Sequence, residues 1–141
     1  MREADIIKSF FDTVWNGGDA EAVYKYFAPG ANATGLVGGM ALDAEDMIAF
    51  VQTLSMHVKN IEVEVVHVLV DGDWVSALVR STGTCRRSGR AMTLSGQTLV
   101  RLQDGLIAEA YNHFDLLGFF VQLNLLPSDA IERLLAGMKA A

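Results

Sequence analysis

The chain has 141 residues, of which 51% are hydrophobic, and a formal net charge of −6 at pH 7. This length favours a single domain with a sizeable core over residues 1–141, and the acidic balance argues against nucleic acid as a partner. Charges interrupt every apolar run before the ~20 residues that a membrane span requires, so no membrane partner is expected.

Further features of the sequence indicate where the protein is located and what its apolar residues form. The opening stretch MREADIIKSF lacks the apolar core of a secretory signal, and the single Cys85 cannot form an internal disulfide. Both features fit a cytoplasmic protein. The high apolar fraction predicts either a roomy internal pocket or a subunit interface, because extended apolar surface is seldom left in water.

The first half of the chain has helical periodicity. Apolar residues recur at helical spacing in READIIKSFFDTVWN, which stops at Gly17-Gly18, and Asp19 is placed to cap a second helix, AEAVYKYF. An extended piece, ANATGLVGG, follows, and Asp43 then opens a third helix, AEDMIAFVQTLSMHV.

The second half changes to the period of two that is typical of strands. Breaks rich in glycine, aspartate and serine interrupt it at 71–73, 87–90 and 104–105, and each is a plausible hairpin turn. The predicted strands are therefore residues 60–70, 74–86, 91–103 and 106–114.

The chain closes with two predicted helices. One begins near Asp115, and the other, DAIERLLAGMKA, places an apolar stripe along one side. Helices followed by a meander predict an α+β fold, in which a curved, cone-shaped antiparallel sheet of four strands wraps around the N-terminal helices. The stripe of the last helix consists of Ile131, Leu134, Leu135 and Met138.

Ionisable groups concentrate on one face of the last predicted strand. Because side chains alternate along a strand, Glu109, Tyr111 and His113 share a face with Ile107 and lead towards Asp115. The pattern does not decide which face is inward, since a bulge can exchange the two. The opposite face contains Leu106, Ala108, Ala110, Asn112 and Phe114.

Asp115 has two interpretations that are compatible with each other. A carboxyl group in an apolar setting holds its proton more tightly, and can then exchange it with a substrate carbonyl or α-carbon. Aspartate is also a preferred N-cap, and a helix is predicted to begin at Leu116. The neighbouring His113 could relay protons, or be a structural histidine at the edge of the sheet.

Other common catalytic patterns are missing from the sequence. No Cys and His spacing indicates zinc, and His113 with Asp115 is too small a set for a metal site. The sequence contains no glycine-rich phosphate loop after a strand, no nucleophile elbow and no dinucleotide fingerprint. We therefore expect neither a metal nor a cofactor.

The stretch EAYNHFDLLGFFVQLNLLP combines an aromatic strand residue, an aspartate, and a Leu-Gly-aromatic helix that ends Gln-Leu-x-Leu-Leu-Pro. Together with the helices and strands before it, it resembles the SnoaL-like polyketide cyclase branch of the NTF2-like, or ketosteroid-isomerase-like, superfamily. The resemblance covers nearly the whole chain and implies that fold. It also implies a homodimer through the outer sheet face, which the surplus of apolar residues independently favours.

The resemblance also implies an activity. In the polyketide cyclases, the aspartate that matches Asp115 acts as general acid and base in an intramolecular aldol ring closure, without metal or cofactor. Some positions depart from the family pattern, because its usual tryptophan is Tyr111 here. The position that matches the base of ketosteroid isomerase falls near Gly35, so steroid isomerisation is not expected.

We therefore expect a cofactor-free enzyme that acts on a hydrophobic carbonyl compound, with Asp115 and His113 as its catalytic residues. One alternative is a module without chemistry that binds a hydrophobic ligand or dimerises. Another is a hydroxylase or an epoxide-opening variant of the same scaffold. The expected substrate contacts are Tyr111, Asn32, Gln97, Arg80, Phe11, Trp15, Phe50, Leu54 and Phe119.

Overall fold

The computed structural model describes residues 2–140 and confirms the α+β fold. The strands of the predicted meander follow one another with bounds close to those expected from the turn signals. They pair as antiparallel neighbours in chain order. The strands are β1 (Phe27–Thr34), β2 (Val58–Asp71), β3 (Trp74–Cys85), β4 (Ala91–Gln103) and β5 (Leu106–Phe114).

The sheet has five strands, in the order β1-β5-β4-β3-β2, where the sequence predicted four. The additional strand β1 pairs in parallel with β5, and its register shifts between Phe27 and Asn32. Pro29 and Gly30 lie within this shift, and both are typical of turns and unfavourable in regular strands. For this reason the pattern predicted only a short extended piece, which began after them.

The N-terminal helices cover one face of the curved sheet. Helix α1 (Glu3–Phe10) continues as a π-helical segment (Phe11–Asn16), and helix α2 (Val23–Tyr26) follows a single 3-10 turn. Asp19 precedes that turn, but its side chain accepts no capping hydrogen bond, so the predicted cap is wrong.

Two predicted helix starts are confirmed by capping hydrogen bonds. Helix α3 (Ala44–Ser55) begins with a capping box, in which Asp43 accepts from the backbone N–H of Asp46 and the Asp46 carboxylate accepts from that of Asp43. Helix α4 (Leu116–Gln122) begins after Asp115. The two caps fix where α3 and α4 leave the preceding loop and strand.

The core fills the space between the helices and the inner face of the sheet. Alternate residues of β3 point inwards and are almost fully buried, with Val75, Ala77 and Val79 at 0–1% exposure. Buried residues of α1 and α3, among them Ile7 and Val51, pack against them. This layer holds the sheet and the N-terminal helices in one body.

A second, smaller apolar cluster forms where α4 crosses the far end of the sheet. Phe119 and Leu123 pack there against Cys85 and Met92. The last helix, α5 (Ala130–Leu135), is different, because only Ala130 in it is buried. Its predicted apolar stripe faces outwards, and Ile131, Leu134, Leu135 and Met138 are all exposed.

No helix within residues 2–140 has both the length and the apolar character that crossing a membrane requires. The longest helix is α3, which has 12 residues.

Candidate ligand-binding cavity

A partly open cavity lies between the inner face of the sheet and the helices. Water-sized molecules have about 110 Å³ of free space in it. Residues of α1, the π-helical segment, α3 and α4 contribute to one wall, and all five strands contribute to the other. Its apolar lining includes Phe10, Met47, Val63, Leu94, Val100 and Phe114.

The polar groups of the cavity are all neutral. Among residues 2–140, no Asp, Glu, His, Lys or Arg lines it. Thr98 and Asn112 are the polar residues of the described chain that count as buried, at 5% and 7% exposure. They lie directly opposite each other in the β4–β5 pairing, so their Cβ atoms are ~4.5–5.5 Å apart. Further hydroxyls of the wall belong to Ser81, which is half-buried, and to the more exposed Thr82 and Thr93.

Five of the expected substrate contacts do line the cavity. Phe11 and Trp15, which are four residues apart, reach it from the π-helical segment. Phe50 and Leu54 face it from α3, and Phe119 faces it from α4. Trp15 and Phe50 meet edge to face, with ring centroids 6.3 Å apart.

The polar residues that were expected to contact substrate lie outside the cavity. Arg80, Gln97 and Tyr111 are exposed on the outer face of the sheet, and Asn32 is exposed on β1. The catalytic candidate His113 is also exposed, and it pairs with Gln97 on that outer face. The sheet therefore separates these five side chains from the space in which a ligand fits.

A bulge explains why the face pattern of β5 was ambiguous. The register shifts where Arg101 pairs with Glu109 and the next residue, Leu102, pairs with Ile107, which leaves Ala108 as an extra residue. Ile107 therefore turns inwards and is 3% exposed, although simple alternation had placed it with Glu109. Beyond the bulge, alternation resumes with Asn112 inwards.

Asp115 occupies the N-cap position of α4. Its Oδ1 accepts a hydrogen bond of 3.0 Å from the Gly118 N–H, and its own N–H donates to the Ser95 carbonyl at 3.1 Å. The residue is exposed, and it does not line the cavity, although both of its chain neighbours, Phe114 and Leu116, do. The capping role is confirmed, whereas the catalytic role stays a prediction.

The outer face has its own polar network, centred on β5. Glu109 forms an ion pair of 3.1 Å with Arg101 and accepts a hydrogen bond of 3.0 Å from the Tyr111 hydroxyl. This bond to the carboxylate, and the negative charge of Glu109, raise the pKa of Tyr111 above its ordinary value. Trp74 stacks against Tyr111, with centroids 6.4 Å apart. The network is open to water on one side.

Gly35 is held against the strand that presents Asn112. Its φ of +89° is in the left-handed region, and a Cβ at this position would lie 1.9 Å from the Asn112 carbonyl oxygen. No side chain fits there without moving β5. A carboxylate side chain therefore has no room at Gly35, near which the resemblance placed the ketosteroid isomerase base.

Within the described residues, no three His, Cys, Asp or Glu side chains are grouped so that they could bind a metal ion. The polar side chains that line the cavity are neutral and can form hydrogen bonds.

Comparison with protein families agrees with this architecture. The model of the SnoaL-like domain matches residues 7–110, which include most of the cavity wall. The chain belongs to the SnoaL-like domain family.

Solved structures show the same fold. A proposed SnoaL-like polyketide cyclase from Jannaschia sp. CCS1 is 26% identical, with 89% of this chain and 93% of that chain covered at a TM-score of 0.76. AclR, a proposed hydroxylase from Streptomyces galilaeus, is 17% identical, with 89% and 97% covered at 0.78. A protein of ketosteroid-isomerase-like fold from Catenulispora acidiphila, in complex with trimethylamine, is 18% identical, with 88% and 95% covered at 0.75. None of the curated proteins matches the chain.

Thr98 and Asn112 are the buried polar residues of the cavity wall within residues 2–140, and neither was among the expected substrate contacts. Each is the isolated polar residue of an otherwise apolar strand face, between Gly96 and Val100 on β4 and between Ala110 and Phe114 on β5. That signal was available, since an apolar face is the one that faces a core. The denser group of ionisable residues on the opposite face drew the functional interpretation instead.

Proposed function

We propose that this SnoaL-like domain binds a small, mainly apolar molecule of polyketide type in its cavity. The observation that supports this most strongly is the cavity itself, which is bounded by apolar side chains and has no charge in its wall. An uncharged ligand loses little on leaving water for such a space, whereas an ion would lose its hydration without compensation.

The proposal predicts that an uncharged bicyclic hydrocarbon binds and that filling the cavity prevents it. Equilibrium dialysis of naphthalene against the protein measures the first, and Ala110→Phe tests the second, since Ala110 lines the cavity. Ser95→Phe is the matched control, because Ser95 is exposed and does not line the cavity. Binding that is lost in Ala110→Phe and kept in Ser95→Phe supports the proposal, and no binding to the unaltered protein contradicts it.

The second candidate is a cofactor-free enzyme of the polyketide cyclase kind, with Asp115 as general acid and base and His113 beside it. Family membership favours it, as does the position of Asp115 between two residues that line the cavity, Phe114 and Leu116. Asp115 is exposed and its Oδ1 accepts from the Gly118 N–H, so its side chain would have to turn towards the cavity to act on a bound ligand.

Proton transfer can be tested without the natural substrate. The α-protons of 2-tetralone, a bicyclic ketone, exchange with solvent deuterium through the enolate, and NMR measures the rate. If Asp115 is the acid and base, the protein accelerates this exchange and Asp115→Asn removes about 10²–10⁴-fold of the acceleration. Asparagine retains the helix cap, so a lower rate is not caused by unfolding of α4. Equal rates would leave ligand binding as the function, and turnover that requires dioxygen would favour the hydroxylase alternative.

A further inference from the structure

The hydrogen bond to Thr34 determines how the side-chain amide of Asn112 is oriented. Its Nδ2 donates to the Thr34 carbonyl oxygen at 3.0 Å. A backbone carbonyl can only accept, so the nitrogen of the amide must face Thr34 and the oxygen, Oδ1, must face away from it. No enclosed side-chain oxygen or nitrogen in residues 2–140 lacks a hydrogen-bond partner. Since Oδ1 has no partner among residues 2–140, it reaches free space.

The Thr98 hydroxyl is in a similar position. It makes no hydrogen bond to another group in residues 2–140, although the residue is 5% exposed and belongs to the cavity wall. Because no enclosed side-chain oxygen in the described chain is unpaired, this hydroxyl too is open to the cavity. A ligand in the cavity can therefore supply a hydrogen-bond partner to this hydroxyl.

The Asn112 oxygen and the Thr98 hydroxyl together favour one kind of ligand group. Asn112 Oδ1 only accepts, while the Thr98 hydroxyl can both donate and accept. One ligand hydroxyl placed between them can donate to Asn112 and accept from Thr98, whereas a ketone or an ether oxygen leaves Asn112 without a donor. The wall has further hydroxyls on Ser81, Thr82 and Thr93, but these residues are more exposed. Thr98 and Asn112 are therefore the buried polar partners that residues 2–140 offer to that hydroxyl.

We infer that Asn112 and Thr98 form a neutral recognition site for a hydroxyl group, that of a phenol, an enol or an alcohol, on an otherwise apolar ligand. This inference rests on the proposed function, because it assigns the polar contact within the same cavity. Asn112 and Thr98 determine specificity in it. The site selects by hydrogen bonding and not by charge.

The test compares two probes that differ by one hydroxyl, naphthalene and 2-naphthol. In water the naphthol hydroxyl is hydrated, and a cavity without partners would therefore bind naphthol more weakly than naphthalene. The measured quantity is the preference, the dissociation constant of naphthalene divided by that of 2-naphthol, obtained by equilibrium dialysis. Taking the ratio cancels changes in cavity shape that affect both probes alike.

Thr98→Val is the most direct variant, because valine has the shape of threonine. The change also breaks no hydrogen bond of the Thr98 hydroxyl to the described part of the chain. We expect the preference for 2-naphthol to fall about three- to tenfold, which is the value of one hydrogen bond. Asn112→Leu should lower it at least as much, but it also removes the bond to Thr34, so its folding is checked by circular dichroism. Gln97→Leu, one residue from Thr98 and on the outer face, should leave the preference unchanged.

A preference that is unchanged in Thr98→Val, or that falls equally in Gln97→Leu, overturns the inference. Failure of the proposed function looks different, since then neither probe binds the unaltered protein at all. Binding of naphthalene with no advantage for 2-naphthol in any variant keeps the cavity as a ligand site and removes the hydroxyl site from it.

Discussion

The inner and outer faces of β5 differ in the kind of polarity they present. Outside, Glu109 and Tyr111 belong to a charged network that water reaches on one side. Inside, Asn112 is a single neutral amide among apolar residues and is 7% exposed. Ionisable groups are the most conspicuous ones in a sequence. A neutral group inside a cavity nevertheless has more influence on which ligand binds, because water does not replace a hydrogen bond that is lost there.

Introducing a carboxyl group should affect stability very differently on the inner and the outer face of the sheet. Asn112→Asp removes the donor to Thr34 and places a carboxyl in apolar surroundings, so we expect unfolding free energy at neutral pH to fall by about 2–4 kcal/mol. Gln97→Glu, on the outer face, should change it by less than about 0.5 kcal/mol. Urea denaturation measures both, and similar losses in the two variants would contradict the face assignment.

The stability of Asn112→Asp should fall as the pH rises. Burial raises the pKa of the introduced carboxyl above its unfolded value of ~3.9. Between these two values the folded chain holds a proton that the unfolded chain has lost, so stability falls as pH rises through this window. Asn112→Asp should therefore approach the unaltered protein in stability near pH 3–4, about where the unfolded carboxyl is half protonated. A loss of stability independent of pH would mean that the carboxyl is hydrated.

We propose that the outer face binds a second copy of this chain. Leu78, Leu99 and Tyr111 are exposed on it, and the neighbouring Arg101 and Glu109 provide both signs of charge, as a self-complementary two-fold interface requires. Leu99→Lys should raise the dimer dissociation constant about 10- to 100-fold.

Light scattering over a concentration series measures the mass of this proposed dimer. Leu135→Lys, on the exposed side of α5, introduces the same charge away from the sheet and is the control. A monomer at micromolar concentration in the unaltered protein, or equal weakening by both substitutions, would contradict the proposed interface.

Removing the helix cap at Asp115 should have a smaller effect on stability. Two substitutions there distinguish the capping role of the side chain from a role of its charge. Asp115→Ala removes the acceptor of the Gly118 N–H and should cost about 1 kcal/mol in unfolding free energy. Asp115→Asn should cost little, because asparagine caps helices as well as aspartate does. Urea denaturation distinguishes the two, and equal losses would show that the carboxylate charge matters to the fold.

The smallest expected effect concerns the outer network. Replacing Glu109 by glutamine removes the negative charge that holds the proton on Tyr111, so the pKa of Tyr111 should fall towards its ordinary value. Because that pKa is raised in the folded protein, the corresponding stabilisation is present below about pH 10 and is lost as pH rises through the folded value. Ultraviolet titration, with Tyr111→Phe to assign the signal, measures the shift. No difference between Glu109→Gln and the unaltered protein would contradict the negative charge of Glu109 as a cause of the raised pKa.

Much of the fold could be predicted because its signals are local. Hairpin turns such as that at Asp104-Gly105 set the strand ends, and the caps Asp43 and Asp115 set two helix starts. Strand β1 could not be predicted in the same way, because Pro29 and Gly30 oppose regular strand structure and the pairing that overrides them, with β5, is distant in sequence.

The site was predictable in part for a similar reason. Aromatic residues such as Phe11 and Phe119 follow helical periodicity, and so their inward direction was correctly expected. Which face of β5 points inwards depends on one bulged residue, Ala108, and on the side against which the helices pack. The short-range pattern of the sequence contains neither piece of information. His113 was therefore selected and its neighbour Asn112 was overlooked.

The most direct test is to locate a bound ligand relative to the two faces. Intermolecular nuclear Overhauser effects between 2-naphthol and the protein report which side chains lie within about 5 Å of it. We expect effects to the Thr98 methyl group and to the Phe119 ring, and none to the His113 or Tyr111 rings. Effects to His113 or Tyr111 without any to Thr98 would place the ligand on the outer face and contradict the assignment of the cavity as the functional site.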